Sequence, residues 1–321
     1  RRCVRVGVVS IVVPVFNEEE VLDELYRQVT AQGQTLRHEL ERVLVDDGSR
    51  DRSPEMIRAL AARDPRVVGV RLSRNFGHEA AIEAGLREAS GDAVVVMDAD
   101  LQDAPDALPR LVEAWEQGAD VAYAVRESRK EGVVLRSAFK GFYKLAGRMV
   151  SIDLPADSGP FSLMSRPVVD TLNGLPEYNR YFPGLRAFAG FNQVAIPVER
   201  AERHAGETKY SFRKRTSGAV NAIVSFSKLP LRAVIWLGLI TAAISIAGGL
   251  FVLVSSIAGA CLIPGWASRM VAVMRLAGVQ VTTLGIGGEY VGVGYDEGRG
   301  RAWCVIAERR DAVPPGSGEG P

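Results

Sequence analysis

Gly91-Asp92-Ala93-Val94-Val95-Val96-Met97-Asp98-Ala99-Asp100-Leu101-Gln102 decides the reading of this chain. A short apolar run rich in valine ends in two carboxylates two positions apart, so both share one side of a strand's exit. Oxygens set this way can hold Mg²⁺ or Mn²⁺ against a diphosphate. An isolated Asp-x-Asp equally suits a polar turn, and the rest of the chain has to decide between the two.

Working outward, strand-like and helix-like segments alternate over the first 125 residues. Val8 to Val13, Arg42 to Asp46, Val67 to Leu72, Ala93 to Asp98 and Asp120 to Val125 read as strands. Helical patterns begin near Glu18, Ser53, Gly77 and Pro105, with Ser53 as a cap ahead of Pro54. This alternation predicts an α/β fold with a mostly parallel sheet, whose ligands collect beyond the carboxyl ends of the strands. Pro14-Val15-Phe16-Asn17-Glu18, Asp46-Asp47-Gly48-Ser49 and Asp98-Ala99-Asp100 all fall at such ends. Three polar clusters at three exits predict one pocket.

Other chemistries fit poorly. No Gly-x-Gly-x-x-Gly follows the first strand, and there is no Walker sequence or Ser/His/Asp constellation in an elbow context. His38, His78 and His204 lack metal-site spacing and read as surface or packing residues. Cys3, Cys261 and Cys304 match neither a disulfide framework nor a zinc site.

The formal net charge of the 321 residues is only +1, but composition shifts sharply after Arg232. Ala233 to Leu262 carries no charge over 30 positions, against the roughly 20 needed to cross a bilayer. Pro264 and Gly265 permit a reversal. A second apolar stretch follows to Val293, interrupted by Arg269, Arg275 and Glu289. The expectation is a transmembrane hairpin of helices 233–262 and 266–293. Lys228, Arg232, Arg299 and Arg301 flank it, which puts both termini in the cytoplasm. A basic, apolar segment at 131–150 reads as an interfacial helix within a domain spanning 1–210. A basic juxtamembrane helix at 211–232 and a tail at 294–321 complete the plan. Small residues such as Gly248-Gly249 allow a homo-oligomer. The basic segments suit lipid phosphate better than nucleic acid.

With these pieces assembled, the chain resembles the family 2 glycosyltransferases that act on polyprenyl phosphates. The resemblance is carried by residues 12–19, Val45-Asp46-Asp47-Gly48-Ser49, Arg74-Asn75-Phe76-Gly77, Asp98-Ala99-Asp100-Leu101-Gln102-Asp103, Gly206-Glu207-Thr208-Lys209-Tyr210 and Gly288-Glu289-Tyr290-Val291-Gly292. It implies a glycosyltransferase A-type fold in an integral protein of the plasma or inner membrane. It also implies inverting transfer of a hexose from a nucleotide sugar to a polyprenyl phosphate, with Mg²⁺ or Mn²⁺ as cofactor. Glucose from UDP-glucose is the leading donor; GDP-mannose, or a weakened paralogue serving as a partner in glycan assembly, is the alternative.

By the same resemblance, Pro14, Phe16, Glu18 and Asp46 meet the nucleoside, while Asp98, Asp100 and Gln102 meet the metal and donor diphosphate. Arg203 and Lys209 lie around the diphosphates, and Arg126 and Arg136 near the acceptor phosphate. Asp98, Asp100 and Arg136 carry the catalysis. The chain departs from the family pattern at Gly159-Pro160-Phe161-Ser162-Leu163, where relatives commonly read Gly-Asp-Phe-Arg-Leu, and at Val293, where a basic residue is usual.

Overall fold

The computed structural model describes residues 6–101, 105–126, 158–176, 181–198, 229–258 and 265–310. Five strands lie where the sequence predicts them: β1 (Val8–Val15), β2 (Glu39–Asp46), β3 (Val67–Leu72), β4 (Ala93–Val96) and β5 (Val121–Arg126). Three more were not legible: β6 (Ser158–Ser165), β7 (Gln193–Val198) and β8 (Ile306–Arg310). They form one sheet in the order β7-β5-β6-β4-β1-β2-β3-β8.

Strands β1 to β4 are parallel, and β7 runs parallel to β5. Strand β6 is antiparallel to both β4 and β5, and β8 is antiparallel to β3. Because β4 and β5 both oppose β6, their carboxyl ends reach the same edge of the sheet. Nearly every residue of β1 and β4 is buried, as expected for central strands covered on both faces.

The helices α1 (Leu22–Gly33), α2 (Ser53–Arg63), α3 (His78–Glu88) and α4 (Leu108–Glu116) follow their strands, α4 after a single 3₁₀ turn at Pro105–Ala107. Helix α3 lies close over β1, where the absent side chain of Gly85 leaves room for Val12. Two shorter helices, α5 (Arg166–Gly174) and α6 (Phe182–Phe188), follow β6. Helix α2 differs from expectation at its start. Ser53 is its first residue rather than its cap, and no side chain caps it. The Ser53 Oγ instead accepts the Glu18 N–H at 3.0 Å.

A second compact unit holds α7 (Leu229–Ile257) and α8 (Trp266–Gly298). Among the described residues, no helix is long and apolar enough to cross a membrane. This corrects the expected transmembrane hairpin, together with the integral-membrane localisation and chain orientation drawn from it. In α8, Arg269, Arg275, Glu289, Asp296 and Glu297 break the apolar run over 33 residues, and each charge is costly in hydrocarbon. Positions 259–262 of the expected first span lie outside the described residues. The segments 131–150 and 211–228 lie outside the described residues.

Candidate active site

The exits of β1 and β2 are tied together by backbone N–H groups meeting short polar side chains. Asn17, in the left-handed region at φ 55°, donates its N–H to Ser49 Oγ at 2.9 Å and accepts Arg50 N–H on its Oδ1 at 2.9 Å. Glu19 N–H meets Asp51 Oδ2 at 3.1 Å, and Arg52 N–H meets Glu19 Oε2 at 2.9 Å. Pro14 is buried in β1 beside Val45, whereas Phe16 at its exit is 38% exposed. Glu18 is partly exposed in the same loop.

Asp46 ends β2 and is almost wholly buried. Its Oδ1 accepts Ser49 N–H at 3.0 Å, and its Oδ2 lies 3.3 Å from Arg71 Nε. The buried Asp47 accepts Phe76 N–H at 2.7 Å and Gly77 N–H at 3.0 Å. Burial pushes its carboxyl up, and those two N–H groups offset part of the shift. Gly48 makes this approach possible. Its φ is +69°, and a β-carbon there would land 2.5 Å from the Arg74 carbonyl carbon. Asp46-Asp47-Gly48-Ser49 thereby fixes the Arg74-Asn75-Phe76-Gly77 loop against β2.

At the exit of β4, Met97 N–H still bonds to Val12 carbonyl at 3.0 Å before the chain turns through Asp98, Ala99 and Asp100. Leu101 takes a left-handed conformation with its side chain buried, which anchors the turn from below. Asp98 is 31% exposed and Asp100 is half-buried. Two hard carboxylates held this way suit a divalent cation of the Mg²⁺ or Mn²⁺ class. Among the described residues, no group of three or more His, Cys, Asp or Glu is placed to hold a metal. The described share of such a site is thus two carboxylates.

The loop after β3 brings in His78, which has no metal-site spacing in the sequence. His78 opens α3, and its Nε2 lies 3.2 Å from Asp98 Oδ1. Burial would lower this imidazole, but the carboxylates of Asp98, Glu79 and Asp47 hold it above its ordinary value. Glu79 is pushed up to about 6 by burial, and its Oε2 accepts Phe182 N–H at 3.0 Å. Adjacent residues of α3 therefore reach the β4 exit and the start of α6.

Arg186 was likewise missed. It is fully buried, donates from Nη1 to Gly159 carbonyl at 3.3 Å and lies 5.0 Å over the Tyr123 ring. Among the described residues, its Nε and Nη2 have no hydrogen-bond partner. Burial lowers its pKa to about 10, partly offset by Tyr123 and Tyr181. The divergent stretch Gly159 to Leu163 lies in β6, with Phe161 and Ser162 buried and Ser162 paired to Val96. The backbone of Arg126 ends β5 at the carboxyl edge; its side chain, with Gln102, Arg136, Arg203 and Lys209, lies outside the described residues.

A family model described as Glycosyl transferase family 2 matches residues 10–172. An uncharacterized glycosyltransferase of Synechocystis sp. is 39% identical over 300 residues, covering 93% of this chain and 94% of the relative. A bactoprenol glucosyl transferase of Shigella phage SfV is 38% identical over 303 residues, covering 94% and 99%. Among solved structures, mannosyltransferase PcManGT of Pyrobaculum calidifontis, in complex with GDP-Man and Mn²⁺, is similar in fold. The TM-score is 0.51 at 20% identity, covering 91% of this chain and 87% of that one.

Proposed function

This chain belongs to glycosyl transferase family 2, and from that premise we propose that it transfers a hexose from a nucleotide sugar to a polyprenyl phosphate, with glucose from UDP-glucose as the leading donor. The observation that carries the reading is the Asp98/Asp100 pair at the exit of β4. It occurs in a chain 38% identical, over nearly its full length, to a bactoprenol glucosyl transferase.

A lipid phosphate is already ionised near neutral pH, so its oxygen attacks the anomeric carbon without a dedicated general base. The harder tasks are bringing two anions together and stabilising the leaving nucleoside diphosphate. Asp98 and Asp100, with Gln102, would hold Mg²⁺ or Mn²⁺, which supplies a Lewis acid and template for that diphosphate when bound. In this reading Pro14, Phe16, Glu18 and Asp46 form the nucleoside side. Arg203 and Lys209 meet the diphosphate. Arg126 and Arg136 hold the acceptor phosphate in line through paired hydrogen bonds, inverting the sugar's configuration.

The test is mass spectrometry of lipid products after incubation with a divalent ion, undecaprenyl phosphate and, separately, UDP-glucose, UDP-N-acetylglucosamine, UDP-galactose and GDP-mannose. One added hexose from UDP-glucose, abolished by chelation, is the expected outcome. A product from GDP-mannose alone would reassign the donor, and no product from any donor by folded protein would overturn the reading.

A further inference from the structure

We propose that His78 is a positioning residue for Asp98, holding the inner oxygen of that carboxylate so that the outer one faces a bound divalent cation. This rests on the reading of Asp98 as a metal ligand. The two oxygens of Asp98 stand in different surroundings. Oδ1 is sealed from solvent and lies 3.2 Å from His78 Nε2, and among the described residues no aligned hydrogen bond reaches it. The side chain is nevertheless 31% exposed, so its open surface lies away from Oδ1. A carboxylate with one oxygen covered by an imidazole ring and the rest open has a defined face to present.

The support behind His78 is fixed on both sides. Upstream, Phe76 and Gly77 donate their N–H groups to buried Asp47, and Gly77 turns the chain at φ 105° into α3. Downstream, Glu79 is bonded to Phe182 N–H at the start of α6. The imidazole is thus delivered from a loop and a helix whose neighbours are already held. Its contact is with a carboxylate rather than with a reacting atom, and the proposed chemistry asks for no proton at this point. Groups that hold a metal's ligands in this way are worth 10–100-fold in metal affinity when removed.

The experiment titrates Mn²⁺ into the full chain without donor or acceptor and follows the free ion by electron paramagnetic resonance. Wild type is compared with His78→Gln, whose amide nitrogen reaches about as far as Nε2, and His78→Met, which keeps bulk and removes the donor. His78→Gln is expected to bind close to wild type and His78→Met roughly 10–100-fold more weakly, with thermal midpoints recorded to exclude unfolding. In an Asp98→Asn background, His78→Met is expected to add little, because its effect runs through the lost carboxylate. Unchanged or tighter binding in His78→Met would overturn the inference, the tighter case making the imidazole a competitor of the cation. Unchanged binding in Asp98→Asn alone would instead overturn the metal-ligand reading, and the inference with it.

Discussion

The carboxyl edge of the sheet has two halves built on different terms. Around β1, β2 and β3, polar groups are paired off against one another: Asn17 with Ser49 and Arg50, Glu19 with Asp51 and Arg52, Asp47 with Phe76 and Gly77. Asp46 Oδ2 lacks an aligned hydrogen bond but has Arg71 Nε at 3.3 Å. Around β4, β5 and β6 the pairing is incomplete. Among the described residues, Asp98 Oδ1 has the imidazole contact alone, and Arg186 Nε and Nη2 have no hydrogen-bond partner. Buried polar groups are normally satisfied because leaving them unpaired costs stability. Among the described residues, one half of the edge is thus the more fully paired, and the other leaves buried polar atoms with fewer partners.

The difference can be broken at four points. The largest effect is expected at Asp100→Asn, which should fold normally and lose roughly 10² in transfer rate, about 3 kcal/mol of transition-state stabilisation. Wild-type turnover with that variant would remove Asp100 from the mechanism. On the paired half, Asp47→Ala strands two backbone N–H groups and should lower stability by about 2–3 kcal/mol, read from urea unfolding. An unmoved midpoint would show that the paired half is not a stability device.

Glu79→Gln comes next. Its carboxyl is held at about 6 against an ordinary 4.5, so burial favours the neutral form. That contribution is fully present below pH 4.5 and is lost as pH rises through 6, about 2 kcal/mol over the window. The glutamine variant, which keeps an oxygen for Phe182 N–H, should show a flatter thermal midpoint between pH 4.5 and 6.5. The same slope as wild type would assign the pH dependence to other groups. The smallest effect is expected at Arg186→Met, where replacing a desolvated buried cation should gain about 1 kcal/mol. A loss of stability would mean that the Gly159 and Tyr123 contacts outweigh desolvation.

Much of the first half was legible because its periodicities are strong. The runs 8–13, 42–46 and 93–98 each lead into a polar cluster, and the parallel pairing of β1, β2 and β4 brings those three exits to one edge. The later strands carry contrary signals. Ser158–Ser165 contains Gly159-Pro160, which reads as a turn, although Phe161, Leu163 and Met164 are core residues. Ile306–Arg310 is mostly charged and exposed because it is an edge strand that needs no apolar alternation. The long helices mislead in the other direction: the uncharged run 233–262 reads as a span, yet among the described residues no helix is long and apolar enough to cross a membrane. His78 was set aside because its partner, Asp98, is 20 positions away in sequence and meets it only when β3 and β4 flank the β1–β2 pair.

The return of β8 to β3 has a temporal meaning. Positions 69–72 find their outer neighbour only at 306–310, after the other described strands and both long helices have been made. At about 5–20 residues per second, a ribosome leaves the β3 edge open for on the order of ten seconds to a minute. During that interval the nascent sheet presents unpaired backbone groups to any other extended chain. Final closure of the domain is therefore timed by translation of its most distant strand.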